Sequence, residues 1–291
     1  MKALIQTIFT RPVLLLPALV QPALILIASL SPTPAMAMPD EAAPTSVRVQ
    51  LNSAGKELQL RYPSTVRLDQ VQQDALANLS TLTPSSDKPA QSLYWSGALL
   101  WKADHRAKQA IALHQQTLDK QTRALADHWR YSRPAASETL IQLAQSLASP
   151  LPGERIFLPL DRDRVRIVPE NNPALNGPFA LRLTTRPNTV KVTGAVKLPT
   201  GNTADISLPW QERQDAADYL KQIPALSVAN RDYVWVIQPD GKAEQHNIAY
   251  WNRQHQDIAP GAILYLAFTD LPESAKSLNA QIIHLLSQRP F

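Results

Sequence analysis

Residues 188–268 carry the pattern of one complete small sheet domain, and no other stretch constrains the fold as much. Val190 and Val192 alternate with Lys191 and Thr193, and Ile206 and Leu208 alternate in turn, as strands with one buried face do. Gly194 and Gly201 mark turns. Ala216, Leu220 and Ile223 recur at helical spacing until Pro224 stops the helix. Tyr233–Ile237 is an unbroken apolar strand, and Pro239-Asp240-Gly241 is a strong turn signal. Residues 248–251 read as a short strand, and 263–268 are apolar enough to be covered on both faces. The pattern predicts a compact sheet over one helix, with nothing in it that looks like a reaction centre.

The preceding residues repeat the logic with an interruption. Val47, Val49 and Leu51 alternate with Arg48 and Gln50, and Leu58, Leu60 and Tyr62 form the return strand of a hairpin. Leu68, Val71, Ala75 and Leu79 predict a helix. Residues 93–131 contain no proline and one glycine, and Ile111, Leu118 and Leu125 recur every seven residues, so a long helical region is expected there. Arg133-Pro134 breaks it, and Ser137 is the expected N-cap of a second helix striped by Leu140, Ala144 and Leu147. Strands are then predicted at RIFLPL, RVRIV and PFALRL. The layers are α+β: a first domain over 47–186 with a helical insertion at about 91–148, a second over 187–269, and an amphipathic C-terminal helix over 270–291. In that last helix Asp270 and Glu273 read as a capping box, and Leu271, Ala275, Leu278, Ile282 and Leu285 form the apolar stripe.

The first 37 residues read as a secretory signal peptide. Lys2 and Arg11 precede a nearly continuous apolar run, and Ala35-Met36-Ala37 is a small-x-small site, so cleavage is expected after Ala37. Residues 38–46 read as a disordered leader. The expected location is the periplasm. The 291-residue chain has no cysteine, which excludes disulfides, thiol catalysis and thiolate metal sites. Its net charge of +5 falls to +3 once Lys2 and Arg11 are removed, with basic residues dispersed, so nucleic acid is not an expected partner.

No nucleophile elbow, phosphate loop or dinucleotide fingerprint is present, and no histidine pair has the spacing of a helical metal site. No cofactor or metal is expected. Asp161 and Asp163 are the candidate acid–base pair, since a strand would put both on one face; a charged, solvated strand edge is the favoured reading. Trp129 and Trp235 read as core. Trp251, beside Asn252 and before a polar loop, is the better candidate for stacking on a sugar face.

RYPSTVRLDQV, LDRDRVRIVPENNPALNGPFALRL, NTVKVTGAV and VIQPDGKAEQHNIAYWNRQHQDIAPGAILYLAF follow one another in an order that resembles the GfcC-like capsule biosynthesis family. The resemblance covers most of the chain after residue 37. It implies two β-grasp domains similar to those of outer-membrane polysaccharide export channels, a helical insertion in the first, and an amphipathic tail helix. It also implies a periplasmic role in capsule or exopolysaccharide assembly and export, exercised by binding or scaffolding rather than catalysis. The expected partners are therefore a polysaccharide, the outer-membrane export machinery, or both. The family's candidate ligand contact is an arginine in a Gly-Arg pair. Here LPGERIF offers Arg155, with Glu154 intervening as a potential salt-bridge partner. A guanidinium fork there suits the carboxylate or phosphate of an acidic glycan. The tail helix is expected to dock on protein, since its cations are too few for an anionic membrane.

Overall fold

Val47, Val49 and Leu51 are buried while Arg48 is exposed, so β1 (Thr45–Leu51) turns one face to a core, and it lies inside a sheet with a paired strand on each side. The computed structural model describes residues 44–52, 56–82, 93–199 and 204–291. The expected signal peptide and residues 38–43 of the expected leader lie outside the described residues. Thr45 and Ser46, assigned to that leader from sequence, are the first residues of β1.

The first sheet contains β1, β2 (Glu57–Tyr62), β4 (Leu99–Lys102), β5 (Glu154–Arg155) and β7 (Pro178–Leu183), in the order β2-β1-β7-β4-β5. A two-residue ladder of β3 (Val66–Arg67) and β6 (Ala174–Leu175) lies apart. The second sheet contains β8 (Thr189–Gly194), β9 (Asp205–Pro209), β10 (Tyr233–Ile237), β11 (Ala243–Asn247) and β12 (Ile263–Leu266), in the order β11-β10-β12-β8-β9. Numbered within its own sheet, each has the order 2-1-5-3-4. In each, the first and last strands are parallel and the other pairs antiparallel. Among the described residues this makes a mixed α+β architecture of two five-stranded sheets, a short ladder and seven helices.

The helices divide between the sheets. α1 (Leu68–Ala77), α2 (Leu79–Leu82) and α5 (Arg162–Ile167) share a core with the first sheet through Leu68, Val71, Leu82 and Val165. α3 (His105–Trp129) and α4 (Pro134–Leu147) are inserted between β4 and β5, yet Leu118, Trp129, Leu140 and Leu143 enter the core of the second sheet. α6 (Ala216–Leu220) and α7 (Leu278–Ser287) complete that core. Among the described residues no helix is long and apolar enough to cross a membrane.

Several local readings need correction. Residues 93–131 are not one helical region: Trp95–Gly97 is a 3₁₀ turn and Leu99–Lys102 a strand, because Asp104, whose carboxylate accepts from Ala107 N at 2.7 Å, caps α3 only there. Ser137 lies inside α4, which Pro134 starts, and its hydroxyl donates to Ala126 O, pinning α4 to α3. Of RIFLPL only Arg155 is strand, as the second residue of β5, and RVRIV runs into α5 and its C-cap Val168 because Asp161 caps that helix. The return strand after Asp240-Gly241 is β11, not 248–251, because the tight turn starts pairing at once. Asp270 caps no helix. It sits at φ +55° and pairs with Arg133, and the tail is a 3₁₀ turn, Glu273–Ala275, followed by α7.

Candidate functional site

A cavity of about 760 Å³ opens between segments of both sheet regions. Trp95 and Ser96 come from the 3₁₀ turn ahead of β4. Phe157, Leu158, Pro159 and Leu160 come from the chain that leaves β5, whose first step is fixed by Ile156 N on Leu100 O and whose last is fixed by Gln72 Nε2 on Leu160 O, both 2.8 Å. Asp161 and Arg164 come from the start of α5, and Asp240, Gly241 and Lys242 from the β10–β11 turn.

That turn is rigid. Gln238 N bonds Lys242 O and Gly241 N bonds Gln238 O, each at 2.8 Å, and Asp240 Oδ1 accepts from Lys242 N at 3.0 Å. Gly241 has φ +91°, and a Cβ there would lie 2.6 Å from the Phe157 ring and 2.9 Å from Arg155 Cζ. Glycine thus serves both the turn and the close approach of the two walls.

The lining combines aromatic and aliphatic faces with two carboxylates and two cations. Asp161 and Asp240 each use one oxygen on a main-chain N–H. Lys242 is ion-paired with Glu244, which raises the ammonium pKa and lowers that of the carboxylate. Arg164 has no ion pair among the described residues. A large cavity with apolar walls and a few aimed polar groups is the usual form of a small-molecule site. The mixture here suits a ring with apolar C–H faces and hydroxyl edges: aromatic faces to stack on, carboxylates to accept from hydroxyls, and a guanidinium to donate.

Arg155 does not line this cavity. It is buried behind the cavity, where Nη1 donates to Ser287 O and Nη2 to Pro239 O, both at 2.8 Å, and its main-chain N donates to Gln288 Oε1 at 2.6 Å. Its Cζ lies 5.3 Å from the centre of the Phe157 ring. Glu154 is exposed on the opposite side of the strand, so the salt bridge read from sequence is replaced by a lock on carbonyls. Burial lowers the guanidinium pKa to about 10, against the favourable field of Asp240. Arg155 therefore ties three elements together: the Phe157 wall, the β10–β11 turn and the end of α7.

Trp251 and Asn252 lie elsewhere. Trp251 is 76% exposed, and Asn252 Nδ2 donates to Asp232 O, bracing the turn that follows β11. This turn is at the opposite end of the β10–β11 hairpin from Gly241, about 17 Å along five strand residues. Asp161 and Asp163 are also separated, because Asp161 is the extended N-cap of α5, its carboxylate turned onto Arg164 N, while Asp163 lies in the helix's first turn. Asp161 reaches the cavity; Asp163 is exposed and does not. Trp129 is buried and Trp235 half-buried. His105 is exposed, whereas His114 meets His284 edge-on at 5.0 Å, joining α3 to α7.

The sequence reading passed over Trp95, Phe157 and Lys242. The signal available for Trp95 was an aromatic pair before a glycine, ahead of the aspartate that caps α3. Phe157 sat inside an expected strand, where an apolar residue attracts no notice.

Comparison with known proteins covers nearly all of the described chain. The family described as Capsule biosynthesis GfcC, N-terminal, matches residues 43–186, and Capsule biosynthesis GfcC C-terminal matches residues 204–290. The uncharacterized protein YjbG of Escherichia coli (strain K12) is 32% identical over 198 residues, 67% of this chain and 76% of that protein.

Proposed function

The chain belongs to the GfcC capsule biosynthesis family, and from that premise we propose that it is a non-enzymatic periplasmic accessory protein of capsule or exopolysaccharide biosynthesis that holds glycan in the Trp95–Phe157 cavity. The observation that carries this reading is the cavity itself, with its aromatic wall, its two carboxylates and two cations, and the hydrogen-bonded turn beside it. The shared 2-1-5-3-4 strand order, with parallel first and last strands, supports describing both sheets as β-grasp domains. The apolar run and small-x-small site of residues 1–37 support export to the periplasm. The proposed partners are the polysaccharide, the outer-membrane export machinery, or both.

A polysaccharide-modifying activity through Asp161 and Asp163 finds no support in a geometry that sends only one of them to the cavity. The test is a deletion strain. We expect surface polysaccharide of altered amount or chain length, restored by the wild-type gene and not by Trp95→Ala. Unaltered polysaccharide in the deletion strain removes the proposal.

A further inference from the structure

Two strongly exposed aromatic residues stand together just beyond β11. Tyr250 is fully exposed and Trp251 is 76% exposed. Two adjacent aromatic rings held in water forgo a large burial energy, so a rigid turn that presents them is a candidate contact surface. This turn is rigid: Ile248 N and Asn252 Nδ2 both bond Asp232 O at 3.0 and 3.1 Å, and Asn252 N and Arg253 N both bond Ala249 O at 3.1 and 2.9 Å. The adjoining rungs of the hairpin add to it. Tyr233 pairs with Asn247 and Trp235 with Gln245, so two half-buried aromatics and two amides share one face of β10 and β11. The two rings meet edge-on at 6.4 Å.

Resting on the glycan reading above, we infer that this aromatic turn is a second glycan contact, and that the ligand is a polymer chain rather than a single sugar or a short oligosaccharide. The two contacts stand at opposite ends of one hairpin. The β10–β11 turn walls the cavity, and Tyr250 and Trp251 follow the last residue of β11, about 17 Å further on. Only an extended ligand reaches both. The chemistry between them is that of a glycan face: rings to stack on C–H surfaces, and amides to exchange hydrogen bonds with hydroxyls.

Charge argues against a lipid surface. The arginines that flank the turn are committed, Arg253 to Asp215 and Asp218 at 2.8 Å and Arg231 to Leu226 O at 3.0 Å. Neither is left for anionic headgroups, which peripheral membrane binding normally recruits.

The test uses the purified protein and the surface polysaccharide of the cells that make it, both intact and cleaved to fragments of one to three sugars. The double variant Tyr250→Ala/Trp251→Ala alters only exposed side chains, and unchanged circular dichroism serves as its folding control. We expect it to bind intact polymer on the order of tenfold more weakly, with affinity for short fragments unchanged. Trp95→Ala weakens both. Equal affinity of the double variant and the wild type for intact polymer overturns the inference while leaving the cavity reading in place. Failure of the wild type to bind any fragment or polymer overturns both. Flotation of the wild type, but not the double variant, with phosphatidylglycerol-containing vesicles assigns the turn to a membrane and also overturns the inference.

Discussion

The two sheets have the same strand order and parallel central pair, yet they are covered differently. The second is packed with helices: α6 and the α3, α4 and α7 group join its strands in one core. The first has α1, α2 and α5 in its main core, while among the described residues its other face carries a small cluster of Leu99, Trp101 and Ala180. There the end of α7 takes the place of a helix layer. Trp101 Nε1 donates to Gln288 O at 3.0 Å, and Arg155 binds Ser287 O. Topology alone therefore does not set where a ligand fits. β5 is only two residues long, so the chain leaves the sheet early, and residues 157–161 become a cavity wall instead of strand. The same position in the second sheet is filled by β11, five residues long and fully paired.

The largest expected effect lies in the closely packed sheet. Gly194 has φ +95°, and a Cβ there would lie 2.2 Å from Leu266 O; Gly177, beside β7 of the first sheet, has φ +94° with open space around it. Gly194→Ala is expected to cost on the order of 4 kcal/mol, and Gly177→Ala about 1 kcal/mol, in urea unfolding. Equal costs would mean that the second sheet adjusts as readily as the first. Next comes the lock between the regions. Arg155→Ala leaves two buried carbonyls without a donor and is expected to cost about 3 kcal/mol, with Arg155→Lys recovering part of it. A cost under about 0.5 kcal/mol would show that the lock contributes little to holding the two regions together.

Phe157→Ala removes part of the cavity wall. Its ring is 50% exposed, so stability is expected to change little while affinity for glycan fragments falls several-fold. The smallest effect concerns pH. Burial lowers the His246 pKa on β11, against the opposing pull of Glu244 and Asp215. The unfolded chain then binds that proton more readily, so stability is full above about pH 6.5 and declines as pH falls below it. His246→Gln is expected to flatten this decline in unfolding measured from pH 7.5 to about 5.5. An unchanged slope would assign the acid sensitivity to another group, such as His284 on α7, whose pKa burial also lowers.

How much of this was legible follows from where side-chain burial dominates. The hairpin of β1 and β2, the strand β10, the helix α1 and the seam of Ile111, Leu118 and Leu125 were all readable, because one buried face writes its period into the residues. The partner of that seam was not. Nothing in residues 105–147 says that they pack on a sheet whose residues begin some forty positions later. Caps decided the misread segments. Asp104 and Asp161 each start a helix through one hydrogen bond, and an apolar run around them looks the same whether it is strand or helix. The cavity was hidden for a related reason. Trp95, Phe157 and the Asp240-Gly241-Lys242 turn are far apart in sequence, and Arg155 looked like a ligand contact until its carbonyl partners were known.

The proposed role stands or falls with glycan binding in the cavity between the two sheet regions. Titration calorimetry of the purified protein with short fragments of the producing cells' polysaccharide tests it most directly, comparing wild type with Trp95→Ala. Saturable binding by the wild type and at least tenfold weaker binding by the variant, with its circular dichroism unchanged, is the expected result. Identical titrations, or heat signals from neither protein, would contradict it.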